Sequence, residues 1–252
     1  MQLSPVIVQT MLHAHATLSR TADAVPPQLW FLVSAVFHYL GPSFAVLLFA
    51  RVDVLGVAWF RIASAAVVFA LWTRPWRIFA AASRRTLVLL LSLGASLAAM
   101  NSVFYRAISR LPLGLAYAVI NGLLFIAYIV LGHRIAGDGA GEGVGRLGAA
   151  MAAAFLFVMP IGLAQAAPAL GDPLLILAGI GVGVCSSVIP YVTDQLAMAR
   201  LPRNSFALML ALLPATATLI GALVLAQIPT LRDLLGIGLV MAGIALHRPP
   251  AG

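Results

Sequence analysis

The chain has 252 residues, of which 62% are hydrophobic and only 9% charged, whereas a soluble domain carries about 25% charged residues. A chain with so few polar groups cannot cover a water-exposed surface, so the composition excludes a soluble enzyme and predicts a protein built into a lipid bilayer. The net charge of +8 comes from scattered arginines without a basic tract interleaved with aromatics. The arginines therefore serve to orient the protein in the membrane. We expect no nucleic-acid partner.

The sequence contains eight apolar runs of about twenty residues, which is the length that an α-helix needs to cross a bilayer. They cover residues 29–50, 54–72, 86–108, 113–131, 147–164, 173–199, 205–226 and 231–246. Their connections are short, which favours antiparallel neighbours in an all-α, polytopic transmembrane helix bundle. Residues 1–28 and 248–252 are predicted to be tails outside the bilayer.

The arginines predict the direction in which these runs cross the inner membrane. With residues 1–28 in the cytoplasm, ten arginines fall in inner segments and four in outer ones. Positive residues accumulate on the cytoplasmic side of membrane proteins. We therefore expect a multi-pass inner-membrane protein with both termini in the cytoplasm.

A short motif occurs twice, ninety residues apart. The sequence Ala-Ile-Ser-Arg-Leu-Pro at 107–112 is matched by Ala-Met-Ala-Arg-Leu-Pro at 197–202, and each copy follows three predicted spans. Because an odd number of spans separates the copies, the second is inverted relative to the first, as is typical of secondary transporters. Two spans follow Pro202, but only one follows Pro112 before a polar loop at 133–146. The pattern predicts a truncated first repeat at 29–120, with two spans missing, and a second repeat at 121–247.

Several stretches resemble the threonine/homoserine exporter branch of the drug/metabolite transporter superfamily, whose members carry paired EamA domains of five helices each. The stretches are Met-Asn-Ser-Val-Phe-Tyr at 100–105, Leu-Pro-Leu-Gly at 111–114, Ser-Ser-Val-Ile-Pro-Tyr at 186–191, and the segment 200–214 with its Arg-Leu-Pro start. The resemblance implies export of small amino acids or related metabolites by alternating access, driven by proton exchange or by the substrate gradient. The family's glutamates are replaced at Leu212 or Leu213 and at Gln227, and one is shortened to Asp194.

Among the ionisable residues inside predicted spans, where a charge costs about 2.5–3.5 kcal/mol on insertion scales, three are candidates for the site. Arg61 is a candidate partner for a substrate carboxylate, or it snorkels or braces a neighbouring helix. Asp194 is a candidate for binding an amino group or carrying a proton, or it pairs at the interface with Arg200 or Arg203. His38 is a candidate proton relay, or it simply bonds a neighbouring helix.

Polar and proline residues complete the candidate substrate site. Asn101 and Tyr105 share one helix face, and Asn101 aligns with Tyr191 through the ninety-residue repeat. These three residues either line a pocket or form an interhelical hydrogen bond, which is worth about 0.6 kcal/mol on average. Pro190, Pro214 and Pro42 interrupt spans and are candidate hinges.

The single cysteine, Cys185, lies inside an apolar run, so one chain contains no disulfide or thiolate metal site. The sequence has no nucleotide-binding loop, nucleophile elbow or HExxH helix. We therefore expect no enzymatic activity, no cofactor and no metal, with a small molecule and the lipid bilayer as partners.

The alternative function is a structural or regulatory membrane protein that derives from a transporter and no longer transports. The missing spans and replaced glutamates favour it, whereas the retained polar residues favour transport. A homodimer in which a second copy supplies the missing wall is a further expectation.

Overall fold

The computed structural model describes residues 24–109, 113–137 and 140–246, so most of the two predicted tails lies outside the described residues. Regular structure in the described ranges is helical, because a helix pairs its backbone groups internally and so tolerates lipid. In chain order the helices are α1 Pro27–Leu48, α2 Val54–Thr73, α3 Pro75–Ala81, α4 Arg84–Ile108, α5 Leu113–Ala136, α6 Ala140–Ala166, α7 Pro173–Gly183, α8 Ile189–Met198, α9 Arg203–Met209, α10 Leu213–Leu225 and α11 Leu231–Leu246.

Six helical segments of the described chain are long and apolar enough to cross a membrane. They are Pro27–Leu48, Val54–Thr73, Arg84–Arg106, Gly141–Gly171, Pro173–Met198 and Arg203–Leu225. The other two predicted runs correspond to α5 and to α11, which has 16 residues and a length of about 24 Å. The all-helical, multi-pass architecture is therefore confirmed, and the count of eight spans stays a prediction.

The connection between α5 and α6 is shorter than the sequence suggested. We expected a polar loop at 133–146, but α5 extends to Ala136 and α6 begins at Ala140, so both His133 and Arg146 are helical. Charged groups at a helix end can reach the membrane surface and bond along their own helix. Arg146 does so with Glu142, at 3.0 Å. The boundary predicted between residues 120 and 121 falls inside the continuous helix α5.

Helix α6 packs most extensively against α2 and α4. Small residues make these crossings close, as expected in membranes, where association depends on van der Waals packing. A Cβ added to Gly94 of α4 would lie 2.7 Å from the Ala150 carbonyl oxygen, and one added to Gly56 of α2 would lie 2.7 Å from that of Gln165. The alanine-rich part of α6 is thus a packing surface.

The outer surface of the bundle is apolar, and its interior holds a set of buried polar side chains. Large exposed hydrophobic side chains include Leu71, Leu123, Leu174, Leu223 and Leu239. Buried polar and charged side chains are Ser34, Ser43, Arg61, Ser64, Asn101, Ser186, Ser187, Thr193, Asp194 and Gln195. This distribution is that of a bundle whose solvent is lipid.

Candidate functional site

The segment from Pro173 to Met198 is a broken helix. It consists of α7, a π-helical turn at Val184–Val188, and α8. Proline has no N–H, so in a regular α-helix the carbonyl of Ser186 would lose the donor that residue 190 normally supplies. Pro190 therefore removes the α-helical donor to the Ser186 carbonyl, which lies within the π-turn. Turns of this kind are frequent at functional sites.

Arg61 of α2 provides donors to this break. Its side chain is 3% exposed. One terminal guanidinium nitrogen donates to the Ser186 carbonyl oxygen, and Nε donates to the Ser187 hydroxyl at 2.8 Å. No carboxylate of the described residues forms an ion pair with it. A buried positive charge is thus held by neutral acceptors.

Two aromatic rings also contact this charge. The guanidinium carbon of Arg61 lies 5.4 Å from the ring centroid of Tyr105 and 6.0 Å from that of Tyr191. Both distances are in the range of cation–π attraction. The Tyr105 hydroxyl is buried without a hydrogen-bond partner among the described residues. Tyr105 therefore holds Arg61 through its ring.

Asn101 of α4 contacts the residue that aligns with it in the repeat. Its Nδ2 donates to the Tyr191 hydroxyl at 3.3 Å and to the Leu97 carbonyl oxygen at 2.7 Å. The two side chains are ninety positions apart. Equivalent positions of two related helices meet where a pseudo-two-fold axis passes between them, so this contact agrees with an inverted repeat.

A small cavity lies among these residues. Its volume is about 20 Å³, enough for about one water molecule and too small for an amino acid. Its wall combines aromatic rings with three polar side chains, those of His38, Arg61 and Asn101. The lining residues are His38, Tyr39, Arg61, Met100, Asn101, Phe104, Phe125 and Tyr191.

His38 of α1 lines this cavity with a half-buried side chain. Its Nδ1 lies 3.0 Å from the Ser34 hydroxyl and 3.1 Å from the Ser34 carbonyl oxygen. Its Nε2 is buried and has no hydrogen-bond partner among the described residues. The ring lies 5.5 Å from that of Tyr191. One ring nitrogen is therefore available to a molecule in the cavity.

Asp194 lies one helical turn beyond Tyr191 and does not line the cavity. It is 1% exposed, and its Oδ2 accepts a hydrogen bond from the Tyr128 hydroxyl at 2.8 Å. It forms no ion pair with either arginine considered in the sequence, Arg200 or Arg203. The interfacial ion pair is therefore not the arrangement found.

The three candidate hinge prolines occupy different positions. Pro42 lies inside α1, beside Gly41, where an added Cβ would meet the Ser186 Cα at 2.6 Å. Pro190 is the second residue of α8, after the π-turn. Pro214 is the second residue of α10, after a 3₁₀ turn. Two of the three prolines thus mark a change in helix type.

The fold therefore brings His38, Arg61, Asn101 and Tyr191 to one cavity. Tyr105 contacts Arg61 through its ring, and Asp194 is bonded to Tyr128, whose ring packs on Tyr191. Sequence reasoning missed Tyr128, whose hydroxyl bonds Asp194, because no pattern connects α5 with α8. It also missed the contact of Arg61 with the π-turn, although the orphaned carbonyl before Pro190 was a usable signal. In the described part of the chain, no three potential metal ligands come together.

The chain is similar over most of its length to curated exporters. It is 28% identical to threonine/homoserine exporter RhtA of Escherichia coli K12, with 86% of this chain and 89% of the relative covered. It is also 28% identical to threonine/homoserine exporter RhtA of Salmonella typhimurium LT2, with 89% and 93% covered. No family model and no solved structure matches the chain.

The similarity supports the threonine/homoserine exporter family that the sequence motifs resemble. Together with the six membrane-length helices of the described residues, it supports a multi-pass membrane protein. The paired EamA domains are not matched by a family model and stay a prediction.

Proposed function

We propose that the chain is an inner-membrane secondary transporter that exports small amino acids, such as threonine or homoserine, or related metabolites. The observation that carries this proposal is the central cavity, where buried Arg61 has no carboxylate partner among the described residues. A substrate carboxylate would supply the missing negative charge. The similarity to threonine/homoserine exporters supports the same substrate class.

Each candidate residue has a role in this proposal. Arg61 binds the carboxylate, Asn101 and Tyr191 bind polar groups of the substrate, and Tyr105 holds Arg61 in place. His38 offers Nε2 to the cavity. Asp194, whose partner Tyr128 packs on Tyr191, carries charge or a coupling proton.

Transport proceeds by alternating access about this cavity. The cavity is smaller than an amino acid, so helices must move before it can hold a substrate. Pro190, Pro214 and Pro42 interrupt the regular backbone hydrogen bonds of their helices. These breaks are the hinges of the proposed movement.

The proposed architecture has eight spans, derived from two inverted units of five, with both termini in the cytoplasm. The contact between Asn101 and Tyr191 supports the inverted repeat. The alignment with the first relative extends over 267 residues, more than the 252 of this chain. Gaps therefore lie on this chain's side, as a missing pair of helices requires. A second copy of the chain would replace the wall that those helices form.

Export is tested in cells and in vesicles. Cells that produce the chain should tolerate raised threonine or homoserine better than cells without it, and proteoliposomes should exchange labelled threonine. Tyr191→Ala and Asp194→Asn should abolish both effects at equal membrane abundance. The matched control is Leu174→Ala, which changes a side chain that is 71% exposed and outside the cavity.

The second candidate is a structural or regulatory protein that does not transport. The small volume of the cavity favours it. Equal sensitivity of cells with and without the chain across a panel of amino acids, with no exchange in proteoliposomes, would establish this candidate and reject the exporter.

A further inference from the structure

We propose that Arg61 is a latch on the broken helix, and that a substrate carboxylate opens it by taking over the guanidinium. The inference rests on the proposed function and adds how substrate binding starts the movement. It concerns two competing partners of the Arg61 side chain, which are the π-turn and a substrate carboxylate.

The first step concerns why the latch exists. Pro190 removes the N–H that the Ser186 carbonyl would accept in a regular helix, and an unpaired buried backbone group costs about 1–3 kcal/mol. Arg61 supplies a replacement donor from α2, and its Nε also holds the Ser187 hydroxyl. The π-turn is therefore stabilised by a residue of another helix.

The second step concerns competition for the same side chain. Arg61 lines the cavity and bonds the π-turn at the same time. Its present acceptors are a carbonyl and a hydroxyl, which are neutral. A carboxylate can accept two parallel bonds from a guanidinium, and its negative charge adds an electrostatic attraction that the neutral acceptors lack. The carboxylate therefore displaces the π-turn from Arg61.

The third step concerns what is left to hold the broken helix. The Ser34 hydroxyl of α1 donates to the Pro190 carbonyl oxygen at 3.1 Å, and Gly41 of α1 packs directly on Ser186. Neither contact involves Arg61. Displacement therefore removes the side-chain hydrogen bonds from α2 to the π-turn and leaves the bond from α1 in place, which gives the movement a direction.

The test is hydrogen–deuterium exchange of the segment 184–188 in the full-length protein in lipid nanodiscs. The probes are threonine, homoserine and simple hydroxy acids, each compared with its methyl ester, which lacks the charged carboxylate. A free carboxylate should raise the exchange rate of this segment about tenfold, equivalent to about 1.4 kcal/mol of local stability. The matching ester should leave it unchanged.

Two variants separate the latch from a general loosening of the bundle. Ser187→Ala removes one acceptor of Arg61, so exchange should be raised before any ligand is added and rise less when a carboxylate binds. The control is Ser43→Ala, because the Ser43 hydroxyl is buried and bonds its own helix at the Tyr39 carbonyl oxygen. It should behave as the unmodified chain.

The outcomes distinguish this inference from the proposed function. Exchange that no carboxylate raises, or that esters raise equally, overturns the latch even if threonine is transported. A rise with hydroxy acids but without transport of any amino acid supports the latch and rejects the amino-acid exporter. A larger response of Ser43→Ala than of Ser187→Ala would also overturn the latch.

Discussion

Hydrogen bonds and aromatic rings surround the two charged side chains that are buried among the described residues. Arg61 donates to Ser186 and Ser187, and Asp194 accepts from Tyr128. No ion pair to either is found among the described residues. A buried charge is tolerated when its hydrogen bonds are satisfied. At the residue scale, stability should therefore depend on the neutral partners of these charges.

Tyr128→Phe tests this dependence. It removes the donor to the Asp194 carboxylate, and an unsatisfied buried acceptor costs about 1–3 kcal/mol. We expect a loss of that size in the free energy of unfolding, measured by denaturant titration in micelles.

The control for this variant is Tyr105→Phe. The Tyr105 hydroxyl is equally buried but has no hydrogen-bond partner in the described chain, so its removal should leave stability unchanged or raise it. Equal losses for the two variants would contradict the importance of the bond to Asp194.

At the scale of the element, proline and glycine have separate effects on the helices. Pro190 changes the hydrogen bonding of one helix, whereas Gly94 allows two helices to approach closely. The first effect concerns function and the second concerns packing.

Pro190→Ala should restore the N–H that the Ser186 carbonyl lacks and favour a regular helix over the π-turn. We expect transport to fall to background in proteoliposomes while the unfolding temperature is kept or raised. Pro160→Ala is the control, since that proline lies within α6 on an exposed surface and outside the cavity lining. Undiminished transport by Pro190→Ala would remove this proline from the mechanism.

Gly94→Ala should destabilise the crossing of α4 and α6. The new Cβ would lie 2.7 Å from the Ala150 carbonyl oxygen and 2.9 Å from the Ala154 nitrogen, and overpacking of this kind costs about 1–3 kcal/mol. Gly181→Ala is the comparison, because nothing lies within 4 Å of its Cβ position. Denaturant titration should show a loss for the first variant and none for the second.

At the scale of the whole molecule, the number of spans depends on α5 and α11. The described part of α11 is mostly exposed and makes few contacts, chiefly with the 3₁₀ turn at Leu210–Leu212. An apolar helix in this situation faces lipid or a second copy of the chain. Its position in the membrane therefore bears on both the topology and the proposed homodimer.

Reporter fusions test whether α11 crosses the membrane. A fluorescent protein that folds in the cytoplasm should be bright at the C-terminus, and alkaline phosphatase should be active when fused after Gln227. This result would place the two ends of α11 on opposite sides, as eight spans with cytoplasmic termini require. If both fusion sites lie on the same side of the membrane, α11 is not a span.

The sequence alone determined the solvent of this protein, its helical class and some of its buried polar residues, among them Arg61, Asn101 and Asp194. Composition indicated lipid because a chain with 9% charged residues cannot cover a water-exposed surface, and apolar runs of about twenty residues indicated helices, which satisfy their own backbone groups in lipid. It also indicated the pairing of positions 101 and 191, because a repeat relates equivalent residues wherever they lie.

Only the tertiary structure decided how these residues meet. Arg61 and Ser187 are 126 positions apart and Tyr128 and Asp194 are 66 apart, and no local pattern predicts a contact over such a separation. The loop at 133–146 was expected to be longer because polar residues at a helix end and in a loop look alike in sequence. The side on which a helix presents its polar atoms is set by packing with other helices, so the small cavity and the contact of Arg61 with the π-turn emerge only in the folded bundle.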